Sequence, residues 1–397
     1  MDGLELYLHI PFCMKKCDYC DFLSFPADRH SKQKYVEALQ REIAFYGTYF
    51  KDVPVETIFV GGGTPSFLDT AQMLSLMETV RDFFPVREDA EITVECNPGT
   101  VTAEKLDAYK KIGINRLSIG LQSPDNRELV MLGRVHTWEQ FLKTYELARK
   151  QEFDNINVDL MTSLPGQTYK SFLKSLETVL LLKPEHLSAY SLMIEKGTPF
   201  YNRYKFDAVK QEAGMQTEIL PDEETMYQIT KKTQQLLQER GYHWYETSNF
   251  AKPGKECRHN IGYWTRKDYL GLGLGASSLL DNVRTANVTD LYTYIEDSND
   301  IHLLESESFA TNLHASSDAV SRKAQMEEFM FLGLRLIDGI KRETFFQTFG
   351  VQIEAIYGDT MGMLIDRDLL EQKEGVIRLT DLGQDVSNRV LAQFLLD

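Results

Sequence analysis

The chain has 397 residues, of which 43% are hydrophobic and 26% are charged, and its formal net charge is −16. This composition is ordinary for a globular protein with one large core and a smaller second one. The negative charge repels phosphate backbones, so we expect no nucleic-acid partner. No signal segment precedes the first strand-like stretch and no later stretch is long and apolar enough to span a bilayer, so we expect a cytoplasmic protein.

Strand-like and helix-like hydrophobic periods alternate from the N-terminus to about residue 250. Six strands are predicted, at residues 5–10, 56–60, 92–95, 116–121, 156–160 and 186–192. Helices are predicted between and after them, at residues 31–49, 70–84, 102–112, 137–150 and 168–182. Successive β-then-α units predict an α/β fold whose parallel sheet curves into a (β/α)6-type partial TIM barrel.

The rest of the chain has a different pattern. A helix is predicted at 222–240 and a strand at 242–246, whereas the polar, aperiodic stretch 281–323 is predicted to contain a surface linker. The last segment predicts a small, mainly helical, winged-helix-like unit with one short strand at 376–379. Its excess of acidic side chains favours packing or partner binding over DNA binding. We therefore divide the chain into a barrel (1–240), a completing segment (241–323) and an accessory domain (324–397).

Three of the five cysteines, Cys13, Cys17 and Cys20, lie on one short loop after the first predicted strand. In a reducing compartment such a group indicates metal or redox chemistry rather than disulfides. Three thiolates can each bind one iron of a cubane cluster and leave the fourth iron open to a ligand. The alternative is a closed zinc site, for which His9 or His259 could supply the fourth ligand.

The residues around this loop add to the interpretation. The run from Tyr7 to Cys13 is Tyr-Leu-His-Ile-Pro-Phe-Cys, and Asp18 and Tyr19 precede the last cysteine. These flanks resemble the radical S-adenosylmethionine (SAM) superfamily, in particular its anaerobic coproporphyrinogen III oxidase-like family, over nearly the whole chain. The resemblance implies a [4Fe–4S] cluster whose open iron is chelated by SAM, which the reduced cluster cleaves to a deoxyadenosyl radical.

Three glycines followed by Thr64 come directly after the second predicted strand. The run matches neither a P-loop nor a dinucleotide-binding fingerprint. Glycines let the backbone come close to a ligand, although a plain tight turn is the alternative explanation.

Polar side chains also mark the ends of the following strands. Glu95 ends the third strand, Gln122 ends the fourth and Asp159 lies near the end of the fifth, where ligand sites of parallel α/β folds form. Buried carboxylates at such positions need a partner or a ligand. The family resemblance implies that SAM contacts Tyr7, Tyr19, Gly62, Gly63, Thr64, Glu95, Gln122, Arg134, Asp159 and the backbone at Met193.

Two features bear on the branch of the family. The oxidases carry a further cysteine two residues after the third cluster ligand, where this chain has Phe22. They also carry an extension before the Tyr-x-His motif, which starts here within the first ten residues. We therefore expect that the chain does not convert coproporphyrinogen III to protoporphyrinogen.

A second motif, His-Asn-x-x-Tyr-Trp, comprises His259, Tyr263 and Trp264. Imidazole can bind iron, and aromatic rings offer flat apolar faces to a porphyrin. The alternative is a loop histidine beside two partly buried aromatic side chains. The motif resembles the mark of the haem chaperone (HemW) branch, and this resemblance implies that all three residues bind haem.

The favoured function is therefore binding of haem and its delivery to haem-dependent respiratory proteins, with the SAM-binding machinery retained. The alternatives are an oxygen-independent coproporphyrinogen III dehydrogenase and a radical SAM enzyme with another substrate. The resemblance implies an electron donor such as flavodoxin or ferredoxin. It leaves open transient association with a membrane and the formation of a homodimer.

Overall fold

The computed structural model describes residues 3–304 and 309–396. The six predicted strands form the parallel centre of one large sheet, each pairing with the next in chain order. They are β1 (Leu4–Ile10), β2 (Val55–Gly62), β3 (Val86–Cys96), β4 (Arg116–Gln122), β5 (Ile156–Thr162) and β6 (His186–Ser191). The predicted (β/α)6-type barrel fold is confirmed.

The helices that follow these strands begin at polar caps. Thr102, Thr137 and Thr168 each accept a first-turn backbone N–H through the side chain, which satisfies a donor that has no partner inside the helix. These helices are α1 (Arg29–Phe50), α2 (Thr70–Phe83), α3 (Ala103–Lys111), α4 (Asn126–Met131), α5 (Trp138–Lys150), α6 (Tyr169–Leu180), α7 (Pro199–Glu212) and α8 (Glu223–Glu239). None of the described helices is long and apolar enough to cross a membrane.

Further strands extend the sheet at both edges. At one edge lie β7 (His243–Glu246) and β8 (Asn249–Ala251); at the other, after α9 (Arg258–Trp264), lie β9 (Tyr269–Leu272), β10 (Ser277–Leu280), β11 (Val283–Asn287) and β12 (His314–Ala319). The prediction of a linker within 281–323 is thus wrong for most of the described stretch, which forms β11, β12 and α10 (Leu291–Asp297). Polar side chains are compatible with β12 because it is an edge strand in which none of them is fully buried, while its backbone pairs with β11. Residues 305–308 lie outside the described residues.

The C-terminal segment forms a second hydrophobic core of its own, which includes Met330, Phe345, Ile353 and Phe394. Its elements are α11 (Arg322–Gly333), β13 (Ile340–Lys341), α12 (Arg342–Phe349), α13 (Ile353–Asp366), β14 (Leu370–Lys373), β15 (Val376–Leu379), α14 (Asp381–Asp385) and α15 (Ser387–Leu391). The predicted strand at 376–379 is present, and two further strands complete a small sheet with it. Helix α11 packs against α9 and so joins this unit to the barrel.

Candidate cluster and cofactor site

A cavity of about 380 Å³ opens where the carboxyl ends of β1–β6 meet, and we call it the cluster cavity. Every residue predicted to bind the cluster or SAM lines it except Tyr7: Cys13, Cys17, Cys20, Tyr19, Gly62, Gly63, Thr64, Glu95, Gln122, Arg134, Asp159 and Met193. The fold therefore brings these side chains together from six strand ends. Their individual contacts with SAM stay predictions.

The cysteine loop is held by backbone bonds directly after β1. The Cys13 N–H donates to the Phe25 carbonyl over 3.1 Å, and the Cys20 N–H donates to the Cys17 carbonyl over 3.2 Å. Within residues 3–304 and 309–396, no three His, Cys, Asp or Glu side chains are grouped so that they could hold a single metal ion. A cubane cluster instead needs one thiolate for each bound iron, and three thiols that face one cavity meet that need.

Arg134 is a cation on the wall of the cluster cavity. Its Nη1 lies 3.6 Å from Cys17 Sγ, while Nη2 donates to Asn97 Oδ1 over 2.7 Å and to the Gly120 carbonyl over 2.6 Å. Arg134 Nε is buried without a partner. Arg134 thus places a positive charge beside the cysteine loop.

Asn97 joins Arg134 to the cysteine loop and is a site residue that was not predicted from the sequence. Its Nδ2 donates to Thr64 Oγ1 over 2.7 Å, and Thr64 Oγ1 lies 3.4 Å from Cys13 Sγ. Asn97 lies two residues after Glu95, so its side chain is on the same face of the sheet as that of Glu95. This two-residue spacing is the signal that could have identified it.

The glycine run allows a backbone approach that other residues would block. Gly62 has φ +112°, and a Cβ there would come within 2.5 Å of the His9 ring. A Cβ on Gly63 would lie 2.9 Å from the Phe12 carbonyl oxygen. The Gly62 N–H donates to Glu95 Oε2 over 3.0 Å, which fixes this carboxyl group beside the glycine run.

Two half-buried carboxyl groups lie on the cavity wall. Burial and the neighbouring Asp159 raise the pKa of Glu95 to about 8. Burial likewise raises the pKa of Asp159, although Asn157 Nδ2 donates to Asp159 Oδ1 over 2.7 Å. Carboxyl groups with raised pKa values attract a cation because its charge offsets the cost of ionising them. The ammonium group of an amino acid moiety, such as that of SAM, is such a cation.

Gln122 and Met193 complete the predicted set. Gln122 ends β4 with φ 73°, and its Oε1 accepts from the Tyr190 hydroxyl over 2.7 Å. The Met193 side chain is largely exposed at the rim, which agrees with a predicted contact through its backbone only.

A second cavity of about 580 Å³ adjoins the first, and we call it the aromatic cavity. Phe22, Gly62 and Glu95 line both cavities. The remaining wall comes from β1, the cysteine loop, α9, β9–β11 and α11: Tyr7, His9, Leu23, Tyr263, Trp264, Tyr269, Gly275, Ala276, Ser277, Leu279, Arg284 and Leu332. Two motifs that are far apart in sequence thus meet at a shared wall.

Tyr7 faces this second cavity. His9 Nε2 lies 3.0 Å from the Leu23 carbonyl, so that nitrogen carries the proton and Nδ1 accepts from the Tyr7 hydroxyl over 2.9 Å. Burial lowers the pKa of His9, which keeps this neutral arrangement. Tyr7 therefore lies beside the predicted SAM residues Gly62 and Glu95 but across the shared wall from the cysteines.

His259 lies on the short helix α9 and is 1% exposed. Its Nδ1 is 2.7 Å from Thr57 Oγ1, and its Nε2 is 2.9 Å from the Tyr263 hydroxyl. Tyr263 and Trp264 line the aromatic cavity, whereas His259 lies behind Tyr263. Burial, assisted by Arg116, lowers the pKa of His259 to about 3, so its imidazole is neutral.

Comparison with known proteins identifies the family. A model of the radical SAM superfamily matches residues 7–179, and a model of the HemN C-terminal domain matches residues 320–386. The heme chaperone HemW of Bacillus subtilis (strain 168) is 35% identical over 98% of each chain. The chain belongs to the HemW family. The heme chaperone HemW of Escherichia coli (strain K12) is 40% identical over 69% of each chain.

A solved structure extends the HemW-family comparison to the fold. Coproporphyrinogen III oxidase (HemN) from Escherichia coli, a radical SAM enzyme, superposes with a TM-score of 0.82 over 99% of this chain and 90% of that one, at 24% identity. As a radical SAM protein of the HemW family, the chain takes a [4Fe–4S] cluster and SAM. The cysteine loop, the glycine run and the carboxyl groups of the cluster cavity fit these two groups.

Proposed function

We propose that this chain is a haem chaperone that holds haem in the aromatic cavity, beside the cluster cavity, and delivers it to haem-dependent respiratory proteins. The observation that carries the proposal is the shared wall of Phe22, Gly62 and Glu95, which places the His-Asn-x-x-Tyr-Trp motif next to the cluster site. The relatives that match along the chain are named heme chaperones, which supports the same function. When bound, the cluster supplies one-electron chemistry to SAM.

The aromatic cavity suits a flat, largely apolar ring. Its volume of about 580 Å³ lies within the range of roughly 300–1,000 Å³ that is usual for sites of organic ligands. Tyr263 and Tyr269 pack edge to face with ring centroids 4.7 Å apart, and Trp264 lines the same cavity. Such rings supply apolar area at low cost in side-chain entropy.

His259 is the proposed iron ligand. A ligating Nε2 requires the proton on Nδ1, and Thr57 Oγ1 lies at 2.7 Å to accept it. In that tautomer Nε2 accepts from the Tyr263 hydroxyl. Iron binding therefore requires that the Tyr263 side chain turns away from Nε2. Burial raises the pKa of Tyr263 well above its usual value, so a Tyr263 phenolate is disfavoured as the iron ligand in place of His259.

The wider setting is part of the proposal. A cytoplasmic protein would receive electrons from a donor such as flavodoxin or ferredoxin and would pass haem to respiratory proteins. Delivery to a recipient in a membrane requires transient contact with that membrane. Transfer of haem from this chain to a respiratory protein that lacks haem would test the recipient. Size-exclusion chromatography of the haem-loaded chain would test whether it forms a homodimer.

One anaerobic sample, with its cluster reconstituted, tests the function. We expect haem titration to give a saturable Soret band at one haem per chain, and coproporphyrinogen III with SAM and a reductant to give no protoporphyrinogen. Porphyrinogen turnover without haem binding would instead identify an oxidase. If neither occurs, the chain is a radical SAM enzyme with another substrate, and the motif around His259 is structural.

A further inference from the structure

The aromatic cavity contains one permanent cation among its described wall residues, the guanidinium of Arg284 on β11. Its side chain is 43% exposed, and its guanidinium interacts with Glu328 and with Tyr269, which also lines the cavity. The apolar and aromatic wall described above lies on the same cavity. A ligand that combines a flat ring with a negatively charged edge would find a partner for each part here.

An ion triad leaves positive charge on Arg284. Its Nη1 donates to Glu328 Oε1 over 2.9 Å, and Glu328 Oε2 accepts from Arg266 Nε over 2.8 Å. Arg266 and Glu328 are buried, with side-chain exposures of 8% and 10%. Because one carboxylate is shared by two guanidinium groups, the triad carries one net positive charge. Arg284 is its only member on the cavity wall.

The position of Arg284 depends on the C-terminal unit. Glu328 belongs to α11, which also supplies Leu332 to the cavity wall. The Arg335 guanidinium lies 5.4 Å from the centre of the Trp264 ring. The C-terminal unit therefore holds both the cation and one aromatic wall of the cavity in place.

We propose that Arg284 binds a propionate carboxylate of haem through the guanidinium N–H groups that are not engaged by Glu328 or Tyr269, and so selects tetrapyrroles with ionised side chains. The assignment rests on the proposed haem-binding function. A guanidinium presents paired N–H donors that match the two oxygens of a carboxylate. Elsewhere the chain is strongly acidic, with a net charge of −16. A cation inside the cavity thus offsets the general repulsion that an anionic porphyrin meets.

Two ligands that share the iron porphyrin but differ in whether the propionates can ionise provide the test. Haem and haem dimethyl ester, in which both carboxylates are methylated, are titrated into the cluster-loaded full chain. We expect the wild type to prefer haem at least tenfold, or about 1.4 kcal/mol. Arg284→Gln should remove this preference, because it weakens the binding of haem and leaves the binding of the ester unchanged. Arg284→Lys, which keeps the charge but loses the paired donors, should retain part of it.

Arg378→Gln is the matched control, because Arg378 is an exposed cation of the C-terminal sheet paired with Glu371. It should leave the preference for haem unchanged. Equal wild-type affinities for both ligands would overturn the role of Arg284 while haem binding itself stands. A parallel loss of both ligands in Arg284→Gln would show that the residue acts on the fold and would also overturn the assignment. Failure of the wild type to bind either ligand would refute the proposed function and the assignment with it.

Discussion

The cluster cavity and the aromatic cavity share a wall but are built in different ways. The first takes its residues from the carboxyl ends of consecutive parallel strands and the loop after β1. The second combines β1, α9, the strands β9–β11 and α11 of the C-terminal unit. Strand ends are positioned by the sheet itself, whereas the aromatic cavity depends on how separate elements pack around its edge.

The hydrogen bonding of the two regions differs accordingly. Arg134 is tied to Asn97 and to the Gly120 carbonyl, so the cation is preorganised before any ligand arrives. His259 is instead closed off by the Tyr263 hydroxyl and needs a side-chain rotation before it can reach a ligand. The comparison predicts a preorganised cofactor site beside a site in which the proposed haem ligand becomes accessible only after Tyr263 rotates.

The largest expected effect is the loss of the iron–sulfur cluster when one of its cysteine ligands is replaced. Replacement of Cys13, Cys17 or Cys20 by Ala should abolish the cluster, because each thiolate binds one iron. The anaerobically reconstituted wild type should hold about four irons per chain. Iron analysis and electron paramagnetic resonance would measure the loss. Cys96→Ala is the control, since Cys96 is a buried thiol bonded to the Val94 carbonyl, and it should keep its iron. Stoichiometric zinc without iron in the wild type would refute the cluster.

The next effect concerns SAM in the same cavity. Arg134→Ala or Glu95→Ala should lower the affinity for SAM at least tenfold, because a hydrogen bond to an ionised group contributes about 1.5–3 kcal/mol. Equilibrium binding and iron content would be measured together, and the cluster should remain. Arg127→Ala, which removes an exposed arginine of α4 paired with Asp125, should change neither. Unaltered SAM affinity in both test variants would count against these contacts.

In the aromatic cavity, His259→Ala should lower the affinity for haem at least tenfold, or by about 1.4 kcal/mol, and should shift the Soret band. Tyr263→Phe keeps the ring but removes the hydroxyl that occupies Nε2, so it should bind haem at least as tightly as the wild type. Absorption titrations would measure both variants, with the cluster intact in each. A normal spectrum in His259→Ala, together with silent Tyr263→Ala and Trp264→Ala variants, would contradict the haem assignment.

The smallest expected effect is the pH dependence of the cluster cavity. With the pKa of Glu95 raised to about 8, the folded chain keeps a proton that the unfolded chain has lost above its ordinary value near 4.5. The contribution of Glu95 to stability therefore falls as the pH rises from about 4.5 to about 8. The affinity for the SAM ammonium should instead rise several-fold between pH 6 and pH 8, as the carboxylate forms. Parallel titrations of Glu95→Gln should lose this rise, and a profile identical to the wild type would exclude Glu95 as its source.

The sequence by itself was enough for the six central strands, the cysteine loop and most of the cluster cavity. Alternating hydrophobic periods identify parallel βα units, and in such a fold all strand ends meet at one edge. Glu95, Gln122 and Asp159 could therefore be grouped without coordinates. The His-Asn-x-x-Tyr-Trp motif was also visible as a pattern of residue types.

Three features depend on long-range packing and could be seen only in the tertiary structure. Edge strands such as β12 have polar sequences because only their backbone is paired, so a linker was predicted in their place. The burial of His259 behind Tyr263 follows from the packing of α9 against β2, which residue spacing does not reveal. Arg284 and Glu328 are 44 residues apart, and they meet only because α11 packs at the sheet edge. Long-range packing, rather than local periodicity, determines such contacts.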